Sequence, residues 1–186
     1  MESIRELTRE HEAIERLLER FARVVDETEL SGQIDAESVE RLLTFLEREV
    51  DGHHQEKEER ALLRGILERA RGADLDCAQE TFREHIDERK LLALMRNNLE
   101  GACYGEPNSV AALARYARRY LATQREHIGW EQAVLFPLAA RVLGPEEDRR
   151  VLQTFRELDD LWGSSVCDAA ERLSAWLDQH TSLVLA

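Results

Sequence analysis

The stretch His127-Ile128-Gly129-Trp130-Glu131, running on into Gln132-Ala133-Val134-Leu135-Phe136-Pro137, decides how this chain is read. On an α-helix, residues four apart stand one above the other, so the His127 imidazole and the Glu131 carboxylate share a face and can grip one metal ion. The same His-x-x-x-Glu spacing occurs in His54-Gln55-Glu56-Lys57-Glu58. His11 and His85 each follow Arg-Glu, as His127 does. These six side chains, His11, His54, Glu58, His85, His127 and Glu131, are the candidate ligands.

Working outward, each of the six falls on an apolar stripe of helical period. Ile4, Leu7, His11, Ile14, Leu18, Phe21 and Val25 step by threes and fours, with Ser3-Ile4-Arg5-Glu6 as an expected capping box. Ser31-Gly32 breaks that helix and Asp35 is placed to cap the next, whose stripe is Val39, Leu43, Leu46, Val50, His54, Glu58 and Leu62. Gly72 is expected to end it, and Asp74 to start a third helix carrying Ala78, Phe82, His85, Arg89, Leu92 and Leu99. After a turn at Gly105 and Pro107, a fourth is expected to present Leu113, Tyr116, Tyr120, Thr123, His127, Glu131, Val134 and Leu138. Gly144-Pro145 restarts the chain into a fifth helical segment over 146–179, bent near Gly163-Ser164. No stretch alternates with the period of a strand, so the fold class is all-α.

The two halves repeat. His11 and His85 are 74 residues apart, and His54 and His127 are 73 apart. Each half is a hairpin with a lone histidine on its first helix and His-x-x-x-Glu on its second. Two such hairpins make an up-down-up-down four-helix bundle, a common home for metals held between facing helices.

Carboxylates in a bundle core cost on the order of several kcal/mol each unless they are paired. Two cations would remove that cost. Imidazole nitrogen and carboxylate oxygen without thiolate suit iron or manganese, with zinc as a further alternative. A symmetric arrangement gives each ion two histidines, with Glu58 and Glu131 bridging and an oxo or hydroxo bridge completing the pair. Ferritin-like Glu-x-x-His spacing is excluded, because Thr8, Phe82 and Gln124 stand where the glutamates of that motif would precede His11, His85 and His127.

The remaining composition narrows the class. A formal net charge of −13 argues against nucleic acid as a partner. No apolar run is long enough for a membrane span. Glu2, Arg5, Glu6, Arg9 and Glu10 do not read as a signal peptide. Cys77, Cys103 and Cys167 are scattered and odd in number, which points to reduced thiols and a cytoplasmic protein.

From Glu2 to Leu143 the chain resembles the hemerythrin-like (HHE cation-binding) family. The resemblance rests on Glu10-His11-Glu12, on HHQEKEE at His53 to Glu59, on Glu84-His85-Ile86-Asp87-Glu88-Arg89, and on HIGWEQAVLFP at His127 to Pro137. It implies a non-haem di-iron centre in a four-helix bundle over 1–143, held by His11, His54, Glu58, His85, His127 and Glu131. Residues 144–186 then form a C-terminal helical extension packed on the bundle. Two departures matter. Oxygen-carrying relatives place a second histidine four residues after the third-helix one, where this chain has Arg89. That moves the expectation from oxygen storage towards the four-histidine branch, which handles nitric oxide or peroxide, repairs or donates iron, or senses iron or oxygen. The second helix has Leu62-Leu63-Arg64 where the family often repeats Leu-Phe-Pro, a change that leaves the ligands alone.

Six neighbours are read more modestly. His53 is placed beside the ligands or on the surface rather than among them. Glu56 and Glu59 read as solvated, although either could orient a histidine. Tyr120 lies two turns from His127 and serves packing or donates a hydrogen bond to a bound small molecule. Arg89, odd on a core stripe, pairs with a central carboxylate or snorkels outward. Gly129, inside a helix, is expected to give a neighbouring helix or a channel room to approach. The expected function is a di-iron protein that binds and reacts with dioxygen, peroxide or nitric oxide, with an electron donor or a second copy as further partners. The alternative is an iron- or oxygen-sensing, storing or donating protein without turnover.

Overall fold

The computed structural model describes residues 1–180, so the last six positions of the expected extension, 181–186, lie outside it. Six helices follow one another, and there is no strand among the described residues. Helix α1 is Glu2–Ser31, α2 covers 36–69, α3 is Ala73–Cys103 and α4 covers 107–142. Helices α5 (Pro145–Trp162) and α6 (Val166–His180) complete the described chain.

Apolar spacing accounts for α1. Leu7, Ile14, Leu17, Leu18, Phe21, Val24 and Val25 are all buried, and the helix stops where Gly32 turns left-handed (φ 68°) and donates its N–H to Thr28. Its start differs from the expected capping box. Met1 occupies the cap position, and Ser3 lies inside the first turn. The free N–H groups of Glu2 and Ser3 reach Asp148 of α5 instead, at 2.9 and 3.1 Å. A carboxylate from a distant helix thus does the work of a local cap at the positive end of α1.

Asp35 does cap α2, its side chain accepting the Ser38 N–H at 3.2 Å. The helix ends at Arg69 rather than at Gly72, which instead sits in the turn with φ 57°. Its winding is uneven. It opens into π-helix over Leu46–His54, tightens at Gln55–Lys57, and opens again over Glu58–Leu63. Helix α4 does the same over Glu131–Leu135, and there Val134, expected on the inward stripe, lies exposed. One local cause there is Pro137, which has no N–H to return to the preceding turn and crowds its carbonyl. Wider winding of this kind is frequent at functional sites, and here the widened stretches carry His54, Glu58 and Glu131.

The core divides into two apolar clusters along the bundle axis. One gathers Ile14 to Val25, Val39 to Val50, Leu91 to Ala102 and Val110 to Ile128 from the four long helices. The other gathers Leu7, Leu62, Leu63, Ile66, Ala78, Leu135, Phe136 and Leu138. Five of the six candidate ligands fall between them in sequence, and the sixth, His127, stands one residue before Ile128, at the edge of the first cluster. The single bent segment expected after Pro145 is two helices, separated by Gly163 in the left-handed region (φ 78°). Both lie on the bundle. Val151 and Phe155 of α5 join the second cluster, while Val166, Ala169, Ala170 and Leu177 of α6 join the first.

Candidate metal centre

All six candidate side chains converge, each at most 3% exposed. His11, His54, Glu58 and Glu131 form one group, and Glu58, His85, His127 and Glu131 the other. Within each group the ligating atoms lie within 4.8 Å of one another. The carboxylates belong to both groups because each divides its oxygens. Glu58 Oε1 lies 3.8 Å from His11 Nε2 and 3.6 Å from His54 Nε2, while its Oε2 faces His85 Nε2 at 3.4 Å. Glu131 turns Oε2 to His11 at 3.2 Å and Oε1 to His127 at 3.5 Å. Among the described residues none of these four oxygens has a hydrogen-bond partner, and neither has His85 Nε2.

A buried polar atom without a partner is costly, and five of them around one point need something between them. Donor atoms bound to one cation at about 2.1 Å sit roughly 3 Å apart in cis, so the observed separations fit a shared ion. The set contains imidazole nitrogen and carboxylate oxygen, with all three cysteines free and elsewhere. That chemistry suits iron or manganese.

In the protein alone, protons balance these charges. Burial works against ionisation of Glu58, yet the imidazoles of His54, His85 and His11 outweigh it and hold its carboxyl well below the usual range. Burial and the neighbouring Glu58 push Glu131 up to about 8. Burial disfavours charge on His85 and His127, but Glu58 and Glu59 raise the first to about 9, and Glu131 with Glu84 raises the second to about 10. His11 goes the other way, pushed down by burial.

The imidazoles are held from outside by acceptors on other helices. Glu10 of α1 takes the Nδ1 proton of His54 of α2 at 2.8 Å, and Glu84 of α3 does the same for His127 of α4 at 2.8 Å. Glu59 takes that of His85 at 2.9 Å. With the Nδ1 proton so placed, Nε2 keeps its lone pair for a metal. The fourth, His11, has the Gln132 side-chain amide 3.5 Å from Nδ1. These four groups obey the half-repeat, since Glu10 and Glu84 each precede a histidine ligand, and Glu59 and Gln132 each follow a glutamate ligand. Local spacing pointed only to Glu59, as a residue able to orient a histidine; for Glu10, Glu84 and Gln132 the position in the repeat was the usable signal.

The neighbours singled out from sequence settle differently. His53 is buried but faces away from the six, its Nε2 2.8 Å from Asp159 and its ring stacked on Trp162 at 5.4 Å. Arg89 pairs not with Glu58 but with Asp51, with Glu59 at 2.8 Å and with Gln55 at 3.2 Å. It therefore pins the carboxylate that orients His85. Tyr120 is fully buried in the first apolar cluster, where packing accounts for its place on the stripe. Glu59 is no solvated bystander. Gly129 faces open space, so no neighbour or channel uses the room it leaves.

The halves also differ. Gln55 donates to buried Glu88 at 2.7 Å, and burial pushes that carboxyl up to about 7. At the repeat-related positions stand Ile128 and Ile14, both buried and apolar. The buried Gln55–Glu88 pair thus has no polar counterpart in the other half.

Residues 2–139 match the model of the hemerythrin HHE cation-binding domain. The chain belongs to that family, and the two buried ligand groups are its candidate cation site. No curated protein and no solved structure matches it.

Proposed function

We propose that this protein holds two iron ions between His11/His54 and His85/His127, bridged by Glu58 and Glu131, and reacts there with a small oxidant such as dioxygen, peroxide or nitric oxide. The observation that carries the reading is the division of each buried carboxylate between the two histidine pairs, with no other partner for any of the four oxygens. Iron, when bound, supplies the redox change. The chain's own residues do the rest. Glu58 and Glu131 would each supply an oxygen to both cations and offset their charge. Glu10, Glu59 and Glu84 keep the Nε2 lone pairs of His54, His85 and His127 pointing inward. Apolar side chains on both sides along the bundle exclude water from the centre.

Disproportionation of peroxide to water and dioxygen balances without an outside reductant. Net reduction of peroxide or nitric oxide requires an electron donor as partner. The absence of a histidine at Arg89 supports this reading over reversible oxygen storage. The three free cysteines support a reducing compartment, and we place the protein in the cytoplasm. No helix of the described residues is long and apolar enough to cross a membrane.

A second reading, iron or oxygen sensing without turnover, is favoured by one observation: Asp159 of α5 is ion-paired to Lys57, which is paired in turn to Glu10, the residue that holds His54. Elemental analysis of freshly purified protein tests the metal. About two irons per chain is the expected result, and zinc alone or no metal after anaerobic reconstitution overturns it. Multiple turnovers with peroxide or nitric oxide then favour the enzyme, and iron-dependent structural change without turnover favours the sensor.

A further inference from the structure

Lys57 is the one lysine among the largest fully buried side chains, and it stands one residue before the ligand Glu58. Its ammonium touches Glu10 Oε1 at 2.6 Å, Asp159 Oδ1 at 2.7 Å and Glu6 Oε1 at 3.4 Å. Glu10 uses its other oxygen to hold His54 Nδ1 at 2.8 Å. Asp159 Oδ1 also lies 2.8 Å from His53 Nε2, and the His53 ring stacks on Trp162, three residues further along α5. A continuous line of charged contacts therefore runs from the C-terminal helices to one metal-ligand candidate. The line is Asp159, Lys57, Glu10, His54.

We propose that Asp159 is a positioning residue for the His11/His54 half of the centre, so that ion binding in that half and docking of α5 are coupled. The inference rests on the metal reading above, and it concerns residues beyond the family match, which ends at 139.

The physics is one of divided charge. A buried ammonium needs compensation, and Lys57 has it from carboxylates on two elements, α1 and α5. Without the charge of Asp159, Lys57 draws on Glu10 more strongly. Glu10 then holds the His54 proton less well, and the imidazole loses both orientation and basicity. In the other half the line behind His85 runs through Glu59 and Arg89 to Asp51 and stays within α2 and α3, without reaching α5. Trp130, not a cation, occupies the position 73 residues after Lys57, and Glu84, the acceptor for His127, is partly exposed. His127 is thus an internal control. Coupling is reciprocal: if α5 positions His54, then an ion on His54 favours the docked α5.

The test compares Asp159→Asn with the unaltered chain, with Asp159→Glu as the charge-restoring variant and exposed Asp160→Asn as the control. In metal-free protein, imidazole nitrogen NMR should show the His54 signals moved in Asp159→Asn and the His127 signals unmoved. Anaerobic ferrous titration should show one of two binding steps weakened about three- to tenfold, less than the 10–100-fold typical of removing a group bonded directly to a ligand. Iron loading should slow amide exchange over 145–162 in the unaltered chain and less so in Asp159→Asn, with Asp159→Glu recovering most of the difference. Unchanged His54 signals overturn the proposal, as does equal weakening of both steps or equal movement of His127, which would mark general loosening. Failure of the unaltered chain to take up any iron defeats the metal reading instead, and the metal-free NMR still decides whether Asp159 positions His54.

Discussion

Glu59 Oε1 lies 2.9 Å from Nδ1 of His85. The same oxygen is 2.8 Å from Nη2 of Arg89, so the carboxylate is held by α3 on two sides. Burial opposes its ionisation, but the His85 and Arg89 contacts prevail and keep the Glu59 carboxyl below its ordinary range. Local spacing alone predicts that Glu59→Ala leaves the metal untouched. The geometry predicts the opposite. The variant should bind iron about 10–100-fold more weakly, as is typical when the acceptor behind a ligating histidine is removed. Competitive metal titration measures this, and affinity equal to that of the unaltered chain would return Glu59 to the solvent.

Glu131→Ala removes two of the four carboxylate oxygens shared between the two candidate groups. Metal content should fall from about two ions per chain to one or none, measured by elemental analysis after desalting. The metal-free chain should respond differently, since the change also removes a fully buried carboxyl whose ionisation is opposed by burial and by Glu58. Melting followed with and without iron should therefore show the variant losing the metal-dependent part of its stability. That part is about 2.7 kcal/mol when free iron stands at a hundred times Kd. An unaltered metal-dependent increment would remove Glu131 from the ligand set.

Two helical glycines should respond with opposite signs. A β-carbon on Gly52 would lie 2.8 Å from Cη2 of Trp162, a ring that also stacks on His53 and donates from Nε1 to Glu56 at 3.2 Å. Gly52→Ala should destabilise the protein by about 1–3 kcal/mol and displace α5. A β-carbon on Gly129 meets nothing within 4 Å, so Gly129→Ala should stabilise by about 0.5–1 kcal/mol through helix propensity. Chemical denaturation of both variants checks the pair, and a destabilised Gly129→Ala would show that the open space is used.

Acid should loosen α5. Burial raises the Asp159 carboxyl, but His53 and Lys57 more than compensate, and its pKa falls below the ordinary 3.8. A depressed folded-state pKa contributes stability that is present above the unfolded value and lost as pH falls through the folded one. The groups facing Asp159 are Lys57 and His53 of α2, with Glu6 and Glu10 of α1 nearby, the last two themselves drawn to Lys57. Trp162 fluorescence should thus report release of α5 below about pH 3.8. Asp159→Asn should lose that step, and persistence of the step would assign it to another carboxyl.

How far residue order alone reaches can be judged from single positions. Helical period on the stripes through His11, His54, His85 and His127 was enough for four helices, and the 74- and 73-residue spacings for two similar hairpins. Helix period also placed the six candidate ligands on inward faces, because which face a residue occupies follows from its own neighbours in the chain. Asp35 as a cap and Pro145 as a first-turn residue were legible for the same reason: each acts within a few positions of itself.

Contacts between helices were not. Glu10 sits beside His11 in the chain but serves His54, and Glu84 sits beside His85 but serves His127. Asp148, not Glu6, completes the start of α1. Lys57 reads as a surface residue until Glu10 from one side and Asp159 from another make its burial affordable. The wider winding at His54, Glu58 and Glu131 likewise has no mark in the spacing. Periodicity specifies the direction in which a side chain leaves its own helix. Which group of another helix meets it depends on the relative shift and rotation of the two, and only the packed bundle decides that.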